Sequence, residues 1–79
     1  MEIGLPGLGG RLRRARLDIG LSPEDVAEKI GVCTAITVHR WERSLSLIPD
    51  STLTRLCDLY NRPLRWFLTL EYGDVIEAI

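Results

Sequence analysis

Residues 21–44 read LSPEDVAEKIGVCTAITVHRWERS, and this stretch decides the fold. Ser22 stands before Pro23, with Asp25 three residues after the serine. A serine hydroxyl that accepts from the backbone three positions on, with an acid reaching back, opens a helix, and proline suits its first turn. Glu24 and Asp25 favour the positive end of that helix. Val26, Ala27 and Ile30 fall on its inner face, and Gly31 stops it. Thr34 then caps another helix, in which Val38, Trp41 and Leu45 form an apolar stripe. Its opposite face carries Ala35, Ile36, Thr37, His39, Arg40 and Arg43. Two helices joined by a few residues containing glycine make a helix-turn-helix.

Outward from this centre the pattern stays helical. Leu8, Leu12, Ala15 and Ile19 share one face of a first helix from about Leu8 to Ile19, ended by Gly20. After Trp41, residues 44–49 read as a loop. Asp50 or Ser51 caps a fourth helix with Leu53, Leu56, Cys57 and Tyr60 inside, and Asn61 ends it. Pro63 sits in the first turn of a fifth helix carrying Leu64, Phe67 and Leu68, and Gly73 breaks the pattern. No alternating run or hairpin dipeptide predicts a strand. The fold class is therefore all-α, a compact five-helix domain. Residues 1–7, broken by Gly4, Pro6 and Gly7, read as a loose leader; 8–70 form the domain; 71–79 are a C-terminal extension.

The chain has 79 residues, enough for one domain with a thin core. Its net charge is −1, which argues mildly against nucleic acid as a partner, but the charge is unevenly spread. Residues 11–16 hold Arg11, Arg13, Arg14 and Arg16 with no acid, while the last third is acidic, so a locally basic face remains. No apolar run is long enough to span a membrane, and residues 1–10 lack the basic start and apolar run of a signal peptide. Cys33 and Cys57 have no zinc-ligand spacing and read as small buried hydrophobes in a reducing cytoplasm. With one histidine, no phosphate loop and no metal motif, the chain does not read as an enzyme, and no cofactor or metal is expected.

The run 21–44 resembles the helix-turn-helix of the lambda-repressor/Cro-like group, the XRE family. The resemblance extends through GRLRRAR at 10–16 and LCDLYNRPLRWFL at 56–68. Its signals are Ala27, Gly31, Val38, Trp41, Glu42 and Pro49. Ala27 is small where two helices cross, and Gly31 suits a left-handed turn. The resemblance implies that Arg16 pairs with Glu42 to fix the angle of the third helix. It also implies a sequence-specific, double-stranded-DNA-binding transcriptional regulator of repressor type, working as a homodimer, with the third helix in the major groove.

Carried over, Ala35, Ile36 and Arg40 face the bases. Arginine bonds two acceptors of guanine at once, and the apolar pair suits a thymine methyl. Thr34, Thr37, His39 and Arg43 are phosphate candidates, as are Arg11 and Arg14 on the first helix. Trp66, Tyr72, Val75, Ile76 and Ile79 are candidates for the dimer surface. The chain departs from the family pattern in three places. It has one more residue between Gly31 and Glu42, assigned to the turn near Cys33. Pro23 stands where a glutamine is common, and residues 44–49 are longer and more apolar than usual. These departures, with the net acidity, fit the alternative of a module that binds a protein partner, antitoxin-like, with weak or no DNA binding.

Overall fold

The structure, a computed structural model, describes residues 2–4, 7–31 and 34–68. Its elements in chain order are β1 (Glu2–Ile3), α1 (Leu8–Asp18), α2 (Pro23–Ile30), α3 (Ala35–Glu42), β2 (Ile48–Pro49), α4 (Asp50–Tyr60) and α5 (Leu64–Leu68). The five expected helices are all present. α3 packs chiefly on α2 and α1, while α5 lies against α1 and α4. None of the described helices is long and apolar enough to cross a membrane.

The core is the set of apolar stripes turned to one centre. Leu12 and Ala15 of α1, Val26 and Ile30 of α2, Val38 of α3 and Leu53 and Leu56 of α4 are all buried. Burial of such side chains contributes roughly 1.5–3 kcal/mol each. The rings of Tyr60 and Phe67 meet at a tilt of 39° with centres 6.3 Å apart and join α4 to α5. Cys57 lies in this core as a free thiol whose pKa burial pushes up, which makes it unreactive.

The ends of α2 follow its sequence. Ser22 accepts from the Asp25 N–H at 3.0 Å, and Asp25 accepts from the Ser22 N–H at 3.0 Å, completing a capping box. Those bonds hold the Asp25 carboxyl below its ordinary pKa, with the bond from the Ser22 backbone the largest cause. A carboxylate whose folded pKa is depressed contributes stability above its unfolded pKa and loses it as pH falls through the folded value. Ser22→Ala, which removes the hydroxyl that accepts from the Asp25 N–H, is expected to lower stability by about 0.5–2 kcal/mol. Because the bond from the Ser22 N–H to the Asp25 carboxylate survives the substitution, the deficit should change little in acid, as urea unfolding at several pH values would show. At the other end Gly31 takes φ 77° and donates to the Ala27 carbonyl. A side chain there would be strained, which is why glycine stops the helix.

Several expectations need correction. A short antiparallel pair exists: Glu2 faces Pro49 and Ile3 faces Ile48. Part of the expected leader, residues 2 and 3, is thus a strand, with Ile3 packed on the core. The expected loop 44–49 ends in its partner strand, with Ile48 buried. Two residues are too few to show alternation, so periodicity carried no sign of either strand. Leu45 does not continue the α3 stripe. The helix ends at Glu42, Ser44 turns the chain with φ 60°, and Leu45 is 70% exposed. Ile19 caps α1 and is exposed, because its backbone leaves the helix at Asp18. Leu64 is exposed, leaving Phe67 to anchor α5. The cap of α4 is Pro49, without a side-chain bond, rather than Asp50 or Ser51.

One close approach escaped the pattern. A methyl group on Gly9 would lie 2.5 Å from the Glu42 carbonyl oxygen and 2.8 Å from that of Trp41. Glycine here lets the first turn of α1 rest directly on the backbone at the end of α3.

Candidate nucleic-acid interface

α3 has one face fixed and one face free. Val38 and Trp41 are buried, and they fix the helix on α1 and α2. Thr34 caps its start, accepting from the Thr37 N–H at 3.4 Å, and the two hydroxyls lie 3.3 Å apart. The end is closed by a bond from the Leu45 N–H to the Arg40 carbonyl at 2.8 Å, across the left-handed Ser44.

The angle of α3 is held by an ion pair. Arg16 of α1 donates from Nε to Glu42 Oε2 at 2.7 Å and from Nη2 to Oε1 at 3.0 Å. Its Nη1 donates to the Leu21 carbonyl at 2.9 Å. Both side chains are under one-tenth exposed. The Glu42 bond is the main reason the Arg16 pKa rises further, so the guanidinium is charged at every working pH. A forked pair of this kind fixes direction as well as distance. The pairing expected from the resemblance is therefore present.

The pair also decides the charge of the free face. Glu42 is the one acid of α3, and it is turned inward and neutralised. Arg40 and Arg43 are exposed beside His39, so the outward side of the helix is positive although the whole chain is slightly acidic. Ile36, His39, Arg40, Arg43 and Leu45 line one shallow depression. Ile36 projects from it, 67% exposed. Thr34 is exposed, and Ala35 and Thr37 are half-buried at the same end of the helix. The structure thus brings together seven of the nine expected site residues on or beside one helix face.

Arg11 and Arg14 are not with them. They line a separate cleft with Gly10, Asp18, Arg62 and Trp66, where α1 meets α5. Arg11 Nη1 donates to the Trp66 carbonyl at 2.7 Å, and its guanidinium lies 5.4 Å from the indole centre. Arg62 stacks on the same ring at 4.2 Å and pairs with Asp18 at 2.6 Å. Trp66 meets Phe67 edge-on at 4.9 Å. Arg14 is exposed beside this cluster. Sequence reading saw the arginine run but not the aromatic ring that engages two cations, because Trp66 lies 55 residues from Arg11. Leu45 was also missed as part of the free face; the extra residues after the third helix were the only signal of it.

Two other sequence readings fall elsewhere. Cys33, with the extra residue of the turn, and Tyr72, Val75, Ile76 and Ile79 of the expected dimer surface lie outside the described residues. Among the described residues no group of three histidine, cysteine or acidic side chains gathers to hold a metal.

This arrangement has known counterparts. The chain resembles the DNA-binding domain of BldD from S. venezulae at 34% identity and TM-score 0.66, over 76% of this chain and 88% of that one. A crystal structure of the DNA-binding domain of BldD gives 34% identity and TM-score 0.66, over 76% of this chain and 86% of that one. No curated protein matches in sequence. The family model described as a helix-turn-helix domain matches residues 7–65. By that match, and by an α2–α3 unit locked to α1 through Arg16 and Glu42, the chain belongs to the helix-turn-helix domain family.

Proposed function

We propose that this domain regulates transcription by binding double-stranded DNA at a specific sequence, with α3 entering the major groove. The observation that carries the reading is the free face of α3: positive, rigidly seated and opposite a buried stripe. Its similarity to a DNA-binding domain of known structure supports the same reading. The role assigned is that of a binding domain working in the cytoplasm, without catalysis.

Ala35, Ile36 and Arg40 are assigned to base edges, and Thr34, Thr37, His39 and Arg43 to flanking phosphates. Arg14 is assigned to the backbone where the duplex passes α1. Arg11, already bonded to Trp66, contributes charge there more than a hydrogen bond. A second copy of the chain would set two recognition helices on half-sites about 34 Å apart, so the domain is expected to bind as a homodimer. Of the dimer candidates only Trp66 is described, and its ring faces Arg11 and Arg62.

The test is selection of bound sequences from a random duplex pool at near-physiological salt. An enriched palindrome with half-sites one turn apart is the expected result, and no enrichment would overturn the reading. Arg40→Ala is expected to weaken the selected site by about 1–3 kcal/mol and relax preference at one base pair. A binding titration against all four bases at each position checks this. Unchanged affinity and preference would move the reading face by one residue.

A second reading has its own support. The start of α2 carries Pro23, Glu24 and Asp25, which offer a phosphate no side-chain donor and two negative charges, and Leu45 and Leu47 are exposed. An apolar protein partner would suit these. Salt separates the two readings: DNA binding falls steeply as counterions are released, and apolar docking does not.

A further inference from the structure

The free face of α3 has one apolar projection and one forked donor, a helical turn apart. Ile36 is 67% exposed, and Arg40 follows four residues later in the same depression. Side chains so spaced stand about 5–6 Å apart at their Cβ atoms. Successive base pairs lie about 3.4 Å apart, so the length of an arginine brings the pair onto neighbouring base pairs.

The chemistry around Ile36 is unusually bare. An isoleucine side chain neither donates nor accepts a hydrogen bond. Ala35 adds one half-buried methyl. The hydroxyls of Thr34 and Thr37 are turned to each other, and the Thr34 oxygen also accepts from the Thr37 N–H. Beyond Ile36 on this face come His39, Arg40, Arg43 and then Leu45, so apart from the Thr34 and Thr37 hydroxyls, assigned above to phosphates, the side-chain donors begin one turn later. A base pair under Ile36 is therefore read by shape at its C5 edge, while its C4 substituent goes unread. That substituent is an acceptor in thymine and a donor in cytosine.

From this geometry we infer that Ile36 and Arg40 together read a 5-methylpyrimidine and a guanine in neighbouring base pairs, the pyrimidine being thymine or 5-methylcytosine. This rests on the DNA-binding reading above. Ile36 packs on the C5 methyl and Arg40 bonds guanine O6 and N7. The site accepts thymine and 5-methylcytosine alike, and it disfavours uracil and cytosine, which lack the methyl. Cytosine methylation then creates a site from a sequence the domain otherwise passes over. Specificity at this step would be set by a methyl group that is written and erased without changing base pairing.

The experiment uses the duplex enriched from the random pool. The guanine under Arg40 is the one whose 7-deaza replacement weakens wild-type binding and leaves Arg40→Ala unaffected. The pyrimidine of each neighbouring base pair is then varied in turn among T, U, C and 5-methyl-C. T and 5-methyl-C are expected to bind equally, and U and C about fourfold more weakly, the equivalent of one buried methyl group. Ile36→Ala, an exposed substitution that should leave circular dichroism unchanged, is expected to erase the gap between T and U while keeping the guanine preference. Equal binding of T and U, or 5-methyl-C as weak as C, overturns the inference and leaves DNA reading intact. A pool with no enriched duplex overturns both.

Discussion

Glu42→Ala is expected to lower stability by about 3–5 kcal/mol, because it leaves the Arg16 guanidinium buried with two of its three hydrogen bonds gone. Arg16 keeps only the Leu21 carbonyl, and its side chain is 8% exposed, so water cannot replace the carboxylate without reopening the packing. A domain of this size has a total stability of roughly 4–12 kcal/mol, so the variant stands near the edge of folding. Urea unfolding followed by circular dichroism measures the loss. Glu42→Gln, which keeps an acceptor, should be affected less. Arg16→Met in the Glu42→Leu background should recover most of the stability, since an apolar pair of similar volume removes the orphaned charge. The recovered protein would still bind DNA less well, because a forked pair fixes the direction of α3 and an apolar contact does not. A loss under 1 kcal/mol for Glu42→Ala would mean that the pair is open to solvent.

Phe67→Ala is the second large effect, about 3–5 kcal/mol. Phe67 is 1% exposed and touches the rings of Tyr60 and Trp66. It is the buried anchor of a helix of five residues, too short to hold itself. Its loss should release α5 from α1, and with it the contacts of Trp66 to Arg11 and Arg62. The face proposed to read DNA lies on α3, so at a temperature where the variant remains folded its preferred sequence should be unchanged. Unfolding curves and a repeat of the duplex selection check the two halves of this expectation. An altered preferred sequence would show that α5 bears on the placement of α3.

The two substitutions also mark what was legible in the sequence. The capping box at Ser22 and the stop at Gly31 were readable because each is a local event within a few residues. The inward stripe of Val38 and Trp41 was readable from spacing alone. The Arg16–Glu42 pair was readable only through the family resemblance, since no periodicity joins positions 26 residues apart. Leu45 and Ile19 went wrong for one shared reason. Hydrophobic spacing was extended past a helix end, and the backbone no longer turned at 3.6 residues there. Ser44 is the point of failure in the first case, a non-glycine residue in the left-handed region that no propensity marks as a stop. The pairing of residues 2–3 with 48–49 was invisible because a two-residue strand has no pattern. Of the site, the α3 residues followed from the register of one helix. The separate setting of Arg11 and Arg14 depended on how α5 folds back, which is a matter of packing.

The seats of the two tryptophans have an optical consequence. Trp41 lies in the core in the last turn of α3, whereas Trp66 lies against two guanidinium groups where α5 meets α1. The indoles therefore experience different polarities, one dry and one charged. The protein carries its own pair of fluorescent reporters, one at the seat of α3 and one at the dock of α5, so loosening at either end has its own emission signature without any added dye.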